Sequence, residues 1–590
     1  MKSRILITIV STLVLTMISV FELRAQIVGT KGDYIWEMGY LAKSKVPKEN
    51  FFEIDFNTDP PNARFVDRVL QISRTSASYC NDEGRLLAYS NGIHIADSTY
   101  QIMEGGDSIS FNSFLKFAKY MMEGGFELNR RNIFLPISEQ KVYYLQQLIT
   151  IENNILTYFR DLLCAEISFD QMGPGQVVSN NQRQVTGDFE SSSMNACRHA
   201  NGRDWWILLK KTKSGQFYSC LLDPDGLKLA YEYEYTIPNF LSYAGGFIFS
   251  PNGKKCIKLG DTYGAVLFDF DRQTGVLSDM IDLKTEFKPI SYSDAAFSSN
   301  NRFLYTFNNG FVLQYDLINP DSVAFWESRD TIAKYDPIRF PYTNFVQGNL
   351  APDGKIYIAA SSGWDTLSVI NYPDRKGKAC GFDYDGFALP TYNESGCMPN
   401  FPQYRMGPID GSESDSLGIN NIPIAKFRVD NDSSFYNKRE FIDLSFLEPT
   451  SWSWDFGDGS FSSDTSPVHW FPSNGTYGVC LTVGNTNGSD THCRVINIGP
   501  VSASNLLEDY GLTLSPNPCR DFVILNVRER FAKTLKMIIT DVNGKSLQSG
   551  QLNLDNGFTT IDVRNIPAGS YFMTLMDGEG GQEVVQFVKQ

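Results

Sequence analysis

Residues able to do chemistry crowd together once in this chain, at His199-Ala200-Asn201-Gly202-Arg203-Asp204-Trp205-Trp206. An imidazole, a guanidinium and a carboxylate followed by two indoles could hold a polar ligand by hydrogen bonds and stacking. His199, Arg203, Asp204, Trp205 and Trp206 are therefore the candidate binding residues. The same run also reads as a turn. Asn-Gly bends the chain, Arg203 pairs with Asp204 or a neighbouring carboxylate, and one Trp packs inward. His94 sits in Asn91-Gly92-Ile93-His94-Ile95, where Ile93 and Ile95 share a strand face and His94 takes the other.

Little else points to catalysis. The chain has only 4 His, none in a His-Glu-x-x-His or His-x-His pattern. It lacks Gly-x-Ser-x-Gly, a Walker loop and a dinucleotide fingerprint, so hydrolase, kinase and dehydrogenase signatures are missing. No catalytic residue, metal or cofactor is assigned. Asp223-Pro224-Asp225-Gly226 and the Asp455/Asp458 pair supply part of a calcium loop. They lack its distal bidentate carboxylate and read as plain turns. Trp205, Trp206, Trp364 and Trp470 could stack on sugars if exposed, though core packing competes for each.

Bulk properties narrow the class. Lys+Arg 52 against Asp+Glu 67 gives a net charge of −15. That disfavours nucleic acid, whose binding draws on clustered positive charge. Aromatics at 13% suit sheets. Met1-Lys2-Ser3-Arg4, an apolar stretch from Ile5 to Val20, and Ala25 before Gln26 read as a secretory signal peptide over residues 1–25. No later segment is apolar for long enough to span a bilayer, so no membrane span is expected in the mature chain. Export permits disulfides among the 10 Cys. Cys480 with Cys493 is the best pair, and Cys380 with Cys397 and Cys197 with Cys220 are weaker ones. Cys80, Cys164 and Cys256 read as buried apolar residues.

The elements that must position these groups repeat. Asp82-Glu83-Gly84-Arg85, Pro251-Asn252-Gly253-Lys254, Ser299-Asn300-Asn301-Arg302 and Pro352-Asp353-Gly354-Lys355 each place a turn and a basic residue before an apolar strand. Asp223-Pro224-Asp225-Gly226 looks like the same unit one repeat earlier. A period of about 50 residues made of strand, turn and strand predicts propeller blades, about seven of them, over residues 26–407. The stretch Gly105 to Gly125 breaks the pattern, and Phe114 to Met122 could form a short helix in an inserted loop. Residues 408–423 are polar and turn-rich, and read as a linker. Residues 424–500 form a unit in which Trp454 and Phe456 should be core, while Gly457 and Gly459 ease a tight turn beside Asp455 and Asp458. Residues 501–511 are a second linker before a final small sandwich over 512–590. The fold class expected is all-β.

Three resemblances follow. Trp452-Ser453-Trp454-Asp455-Phe456-Gly457-Asp458-Gly459 with Gly475-Thr476-Tyr477 resembles a PKD domain, which implies an immunoglobulin-like sandwich. Asn81–Asp97, His199–Trp206 and Phe247–Lys255 resemble the propeller half of secreted, PKD-containing Bacteroidetes proteins. Leu514-Ser515-Pro516-Asn517-Pro518, Ile539-Thr540-Asp541-Val542-Asn543-Gly544-Lys545, Ile566-Pro567-Ala568-Gly569-Ser570-Tyr571 and the terminal Lys589 resemble the C-terminal sorting domain of type IX secretion cargo. That resemblance implies recognition by an outer-membrane translocon, with release or attachment at the cell surface. The expected function is a surface or secreted binding protein that contacts a glycan or protein. The alternatives are a propeller glycoside hydrolase or lyase, and a structural part of the surface or motility apparatus.

Overall fold

The computed structural model describes residues 27–39, 51–72, 75–107, 109, 132–152, 155–169, 174–190, 194–212, 214–235, 245–260, 264–283, 292–308, 310–318, 322–335, 345–361, 363–393, 397–431, 435, 437–498, 513–515, 519–526, 534–541, 545–553, 558–576 and 582–589. The signal peptide, the helix expected near Phe114 and the linker at 501–511 lie outside them.

Among the described residues, seven antiparallel sheets follow one another between Ile35 and Asn393, each built from strands adjacent in sequence. Two have three strands and five have four. Strands such as Trp205–Lys210 and Phe303–Asn308 are buried at every position, so both faces of a blade pack against its neighbours. The ring closes through a shared core. Trp36, Phe52 and Ile54 of the first blade pack with Tyr357, Leu367 and Val369 of the last. The third blade has the longest strands, Lys141–Glu152, Ile155–Ser168 and Gln176–Phe189.

One turn recurs between the first and second strands of five blades. The amide of Gly84, Gly202, Gly253, Asn301 or Gly354 donates to the carbonyl three residues earlier. Each of these five residues has a positive φ, from 62° to 79°. That geometry explains the Gly, with Asn as the one side chain that tolerates it locally. In four of these turns the preceding Asn or Asp caps the turn, accepting the N–H of Arg203, Lys254, Arg302 or Lys355.

The register of the expected repeat needs one correction. Asp223-Pro224-Asp225-Gly226 joins the third and fourth strands of its blade, Gln216–Asp223 and Gly226–Glu234. The equivalent of the Pro251, Ser299 and Pro352 turns in that blade is His199–Asp204. Both kinds of turn favour Asx and Gly, so residue type alone does not separate them.

Residues 427–498 form two sheets of three and four strands. Trp454 and Phe456 are buried, as expected, with Phe441 at 5.4 Å and 5.2 Å. Gly457 N–H bonds Asp455 and Ser460 N–H bonds Asp458, each at 2.9 Å, closing the turn. Cys480 and Cys493 form a disulfide between adjacent strands. The weaker pairings do not form: Cys197, Cys220, Cys380 and Cys397 are buried and make no disulfide. They lie in four different core clusters, where they act as small apolar side chains. Removing the Cys480–Cys493 link, which spans 13 residues, is expected to cost about 3 kcal/mol. A Cys480→Ser/Cys493→Ser protein should therefore melt earlier in this unit, and reductant should reproduce the loss in the parent. Equal melting would contradict a closed disulfide.

The last unit also has two sheets, of three and four strands, over a core of Val523, Leu525, Leu535, Met537, Ile539, Met573, Leu575 and Phe587.

Candidate functional site

The structure gathers His199, Arg203 and Asp204 in the blade turn just described, and their polar groups meet each other. His199 Nδ1 accepts the Asn201 N–H at 3.0 Å. Arg203 Nε bonds Asp204 at 2.7 Å, and Asn201 Nδ2 bonds the same carboxylate at 2.7 Å. Burial pushes the His199 imidazole below its usual pKa, against smaller raising effects from Asn201 and Asp204. Trp205 and Trp206 point into the core. Their indole N–H groups donate to Pro136 O at 2.9 Å and Arg272 O at 2.8 Å. His94 does not lie on a strand as expected: Ile93 is in a bend, His94 follows it, and the strand begins at Ile95, running Ile95–Asp97. Ile93 and Ile95 are buried, and His94 Nδ1 meets Asp107 at 2.9 Å. Asp223 accepts the Asp225 N–H and holds Lys228 at 2.7 Å. Among the described residues no cluster of three His, Cys, Asp or Glu side chains is arranged to hold a metal.

The feature that residue types did not reveal lies on the propeller axis. After the last blade the chain runs past the inner strands as a strap without regular secondary structure, residues 397–407, which turns at Tyr404–Arg405. Gln347 Nε2 donates to Met398 O at 3.2 Å, and Asn349 Nδ2 to Pro399 O at 2.9 Å. Asn400 N–H bonds Ser76 O at 3.0 Å, and its Nδ2 bonds Asn132 O at 3.1 Å. Tyr404 is fully buried, and its hydroxyl donates to Phe134 O at 2.8 Å. Its ring lies 6.0 Å from Tyr79 and 6.1 Å from Trp205. Arg198 reaches Tyr404 O at 3.4 Å, and Arg272 holds Gly407 O. These contacts come from the second, third, fourth, fifth and seventh blades.

Between the strap and the inner strands of the later blades lies a cavity of about 30 Å³. Asp33, Asn195, Asn349, Phe401 and Gln403 help line it. Asp33 is held by Arg405 at 2.6 Å. Beside that pair, the buried Lys426 donates to the Tyr34 hydroxyl at 2.5 Å.

The strap explains two glycines. A Cβ on Gly253 would lie 2.8 Å from Met406 Sδ and 2.7 Å from Arg272 Cδ. One on Gly202 would lie 2.7 Å from Pro408. Asn301 occupies the same turn position at φ 62°. Gly253→Asn therefore keeps a tolerated backbone and tests the crowding alone. It is expected to cost about 1–3 kcal/mol in urea unfolding, whereas Asn301→Gly should cost less than about 1 kcal/mol. Equal midpoints for the two variants would contradict the crowding.

A Ser–His–Asp set does meet in the 427–498 sandwich. His469 Nε2 lies 2.8 Å from Asp458 Oδ2 and 3.4 Å from Ser460 Oγ. Both partners crowd one ring nitrogen, whereas an activated serine needs the acid on the other. Phe456 stacks on the imidazole at 4.0 Å. The set braces the Asp455–Ser460 turn. Of the four candidate tryptophans Trp470 is the most open, at 50% exposure, and packs 5.0 Å from the equally exposed Phe435.

Residues 420–499 match the model of the PKD domain. Residues 513–590 match the model of the secretion system C-terminal sorting domain. The chain carries a PKD domain and ends in a type IX sorting domain. The sorting domain marks it for export, to the medium or the outer cell surface, and implies contact with the type IX machinery. No described helix is long and apolar enough to cross a membrane. Within the sorting domain the Tyr571 hydroxyl donates to Pro567 O at 2.7 Å, Lys545 N–H bonds Asp541 at 2.9 Å, and Lys589 pairs with Gly569. Pro516, Asn517, Pro518 and Gly544 lie outside the described residues. No curated protein matches the chain. Similar solved structures include the PKD1 domain of Vibrio anguillarum Epp, at 28% identity over 13% of this chain and 95% of that one, TM-score 0.13. A putative 6-phosphogluconolactonase from Bacteroides uniformis is 10% identical over 62% of this chain and 99% of that one, TM-score 0.32. The β-propeller domain of Myceliophteria thermophila Cps50 (Swd1) is 10% identical over 50% and 95%, TM-score 0.27.

Proposed function

We propose that the exported chain is a binding or adhesion protein whose propeller and PKD domain contact an extracellular glycan or protein. The strap on the propeller axis is the observation that carries this reading. A polymer-cleaving site needs two acids facing each other across room for a substrate. The axial cavity, of about 30 Å³, has space for a few waters and not for a sugar ring. The carboxylate that lines it, Asp33, is neutralised by Arg405. Contact then falls to outward surfaces. In the PKD domain these are Trp470 and Phe435, whose rings offer apolar faces for stacking. In the propeller the contact is placed at the His199–Arg203 turn, where Arg203 reaches solvent.

The test is retention of the full-length protein on a panel of insoluble polysaccharides and surface proteins, with product analysis on the same samples. Trp470→Ala is expected to weaken retention on the bound material about tenfold. Soluble products released from any polymer would overturn the reading.

A further inference from the structure

We propose that the propeller axis is a peptide-binding site, and that residues 398–407 are its resident ligand. The contacts have the pattern of peptide recognition rather than of core packing. Four main-chain carbonyls, of Met398, Pro399, Tyr404 and Gly407, are each taken by a side-chain donor from the channel wall. Those donors are Gln347, Asn349, Arg198 and Arg272, all buried. Arg198 donates to Gly202 O, Val28 O and Tyr404 O, and Arg272 to Arg198 O, His199 O and Gly407 O. Burying a guanidinium is costly unless its donors are satisfied. Every hydrogen bond these two arginines make goes to a carbonyl, with Arg198 Nε left unpaired, so what they read is backbone.

Side chains add specificity at three points. Tyr404 is the anchor, filling a pocket walled by Tyr79, Phe134 and Trp205. Gly32 shapes that pocket, since a Cβ there would lie 2.7 Å from the Tyr404 ring. Arg405 is read by Asp33, and the Asn400 side-chain amide by Asn132 O. A buried aromatic and an arginine are the residue types that most often dominate binding energy. Pro399 and Pro402 restrict the backbone of the segment, which lowers the entropy lost on binding. The ligand class is thus a peptide with the spacing Pro-Asn-Phe-Pro-Gln-Tyr-Arg that turns at its Tyr-Arg pair. Because the resident peptide is covalently attached, its effective concentration keeps the site filled in the intact chain.

The test uses full-length Tyr404→Ala protein and a synthetic peptide with the sequence of residues 397–409. Peptide should raise the melting temperature of the variant saturably, by about 4 °C or more. The same peptide carrying alanine in place of Tyr404 should leave it unchanged. No shift at millimolar peptide, or equal shifts from both peptides, would overturn the proposal. Should Tyr404→Ala not fold, Arg405→Ala removes the pairing with Asp33 and the contact with Tyr34, and is read in the same way against a peptide lacking that arginine.

Discussion

Tyr404→Ala is expected to lower the stability of the propeller by about 3–5 kcal/mol. The ring is wholly buried among Tyr79, Trp205 and Phe401, with centroids 6.0, 6.1 and 6.4 Å away. Its removal leaves a ring-sized void and strands the Phe134 carbonyl that its hydroxyl satisfies. The void opens at the centre of the ring, where blades converge and cannot collapse without shifting one another. Tyr404→Phe keeps the packing and loses only the hydroxyl, so it should cost about 1 kcal/mol. Urea unfolding of the full-length proteins checks both values. A loss under about 1 kcal/mol for the alanine variant would mean that the strap contributes little to the fold.

The second large effect is expected at Lys426. Its ammonium is buried beside Tyr34, with its Nζ 4.4 Å from that ring. Burial, together with the nearby Arg405 and Lys31 charges and against Asp33 and Asp353, lowers its pKa to about 7. In the unfolded chain the group titrates near 10.4. Between these values the unfolded state holds a proton that the folded state lacks, so stability rises with pH across roughly 7 to 10. The slope from this group alone is about 1.4 kcal/mol per pH unit. Below pH 7 both states are protonated and the cost is constant. Lys426→Met removes the buried charge and keeps most of the volume. The variant is expected to be more stable than the parent at pH 7, on the order of 3 kcal/mol. The gap should narrow as pH rises to 9. Unfolding midpoints at pH 7 and pH 9 decide it, and a gap that widens with pH would contradict a buried, proton-poor lysine.

The parts of the fold legible in the sequence are those written in local chemistry. Asn252-Gly253, Asn300-Asn301 and Asp353-Gly354 specify their turns because capping side chains and positive φ need those residue types. Trp454 and Phe456 announced a core by alternating on one strand, and Cys480 and Cys493 faced each other because their strands are neighbours. The strap carried no such signal. Its role depends on carbonyls received by Gln347, Asn349, Arg198 and Arg272, and a carbonyl looks the same in every residue. Only Pro399 and Pro402 hint at a run without regular secondary structure. The His199–Trp206 cluster illustrates the converse. Its density of polar groups is high because a capped turn needs Asn201 and Gly202. Its two indoles then reach backbone carbonyls on both sides, Trp205 at Pro136 and Trp206 at Arg272.

Hydrogen exchange along residues 397–409 of the full-length protein bears most directly on the filled axis. The Asn400 amide is bonded to Ser76 O and the Ile409 amide to Ala200 O, inside the ring and at its exit. Both should exchange as slowly as the buried strand amides of Trp205–Lys210. Exchange of Asn400 at the rate of an unstructured peptide would show the axis to be empty of the strap, and the binding and stability claims built on it would fall together.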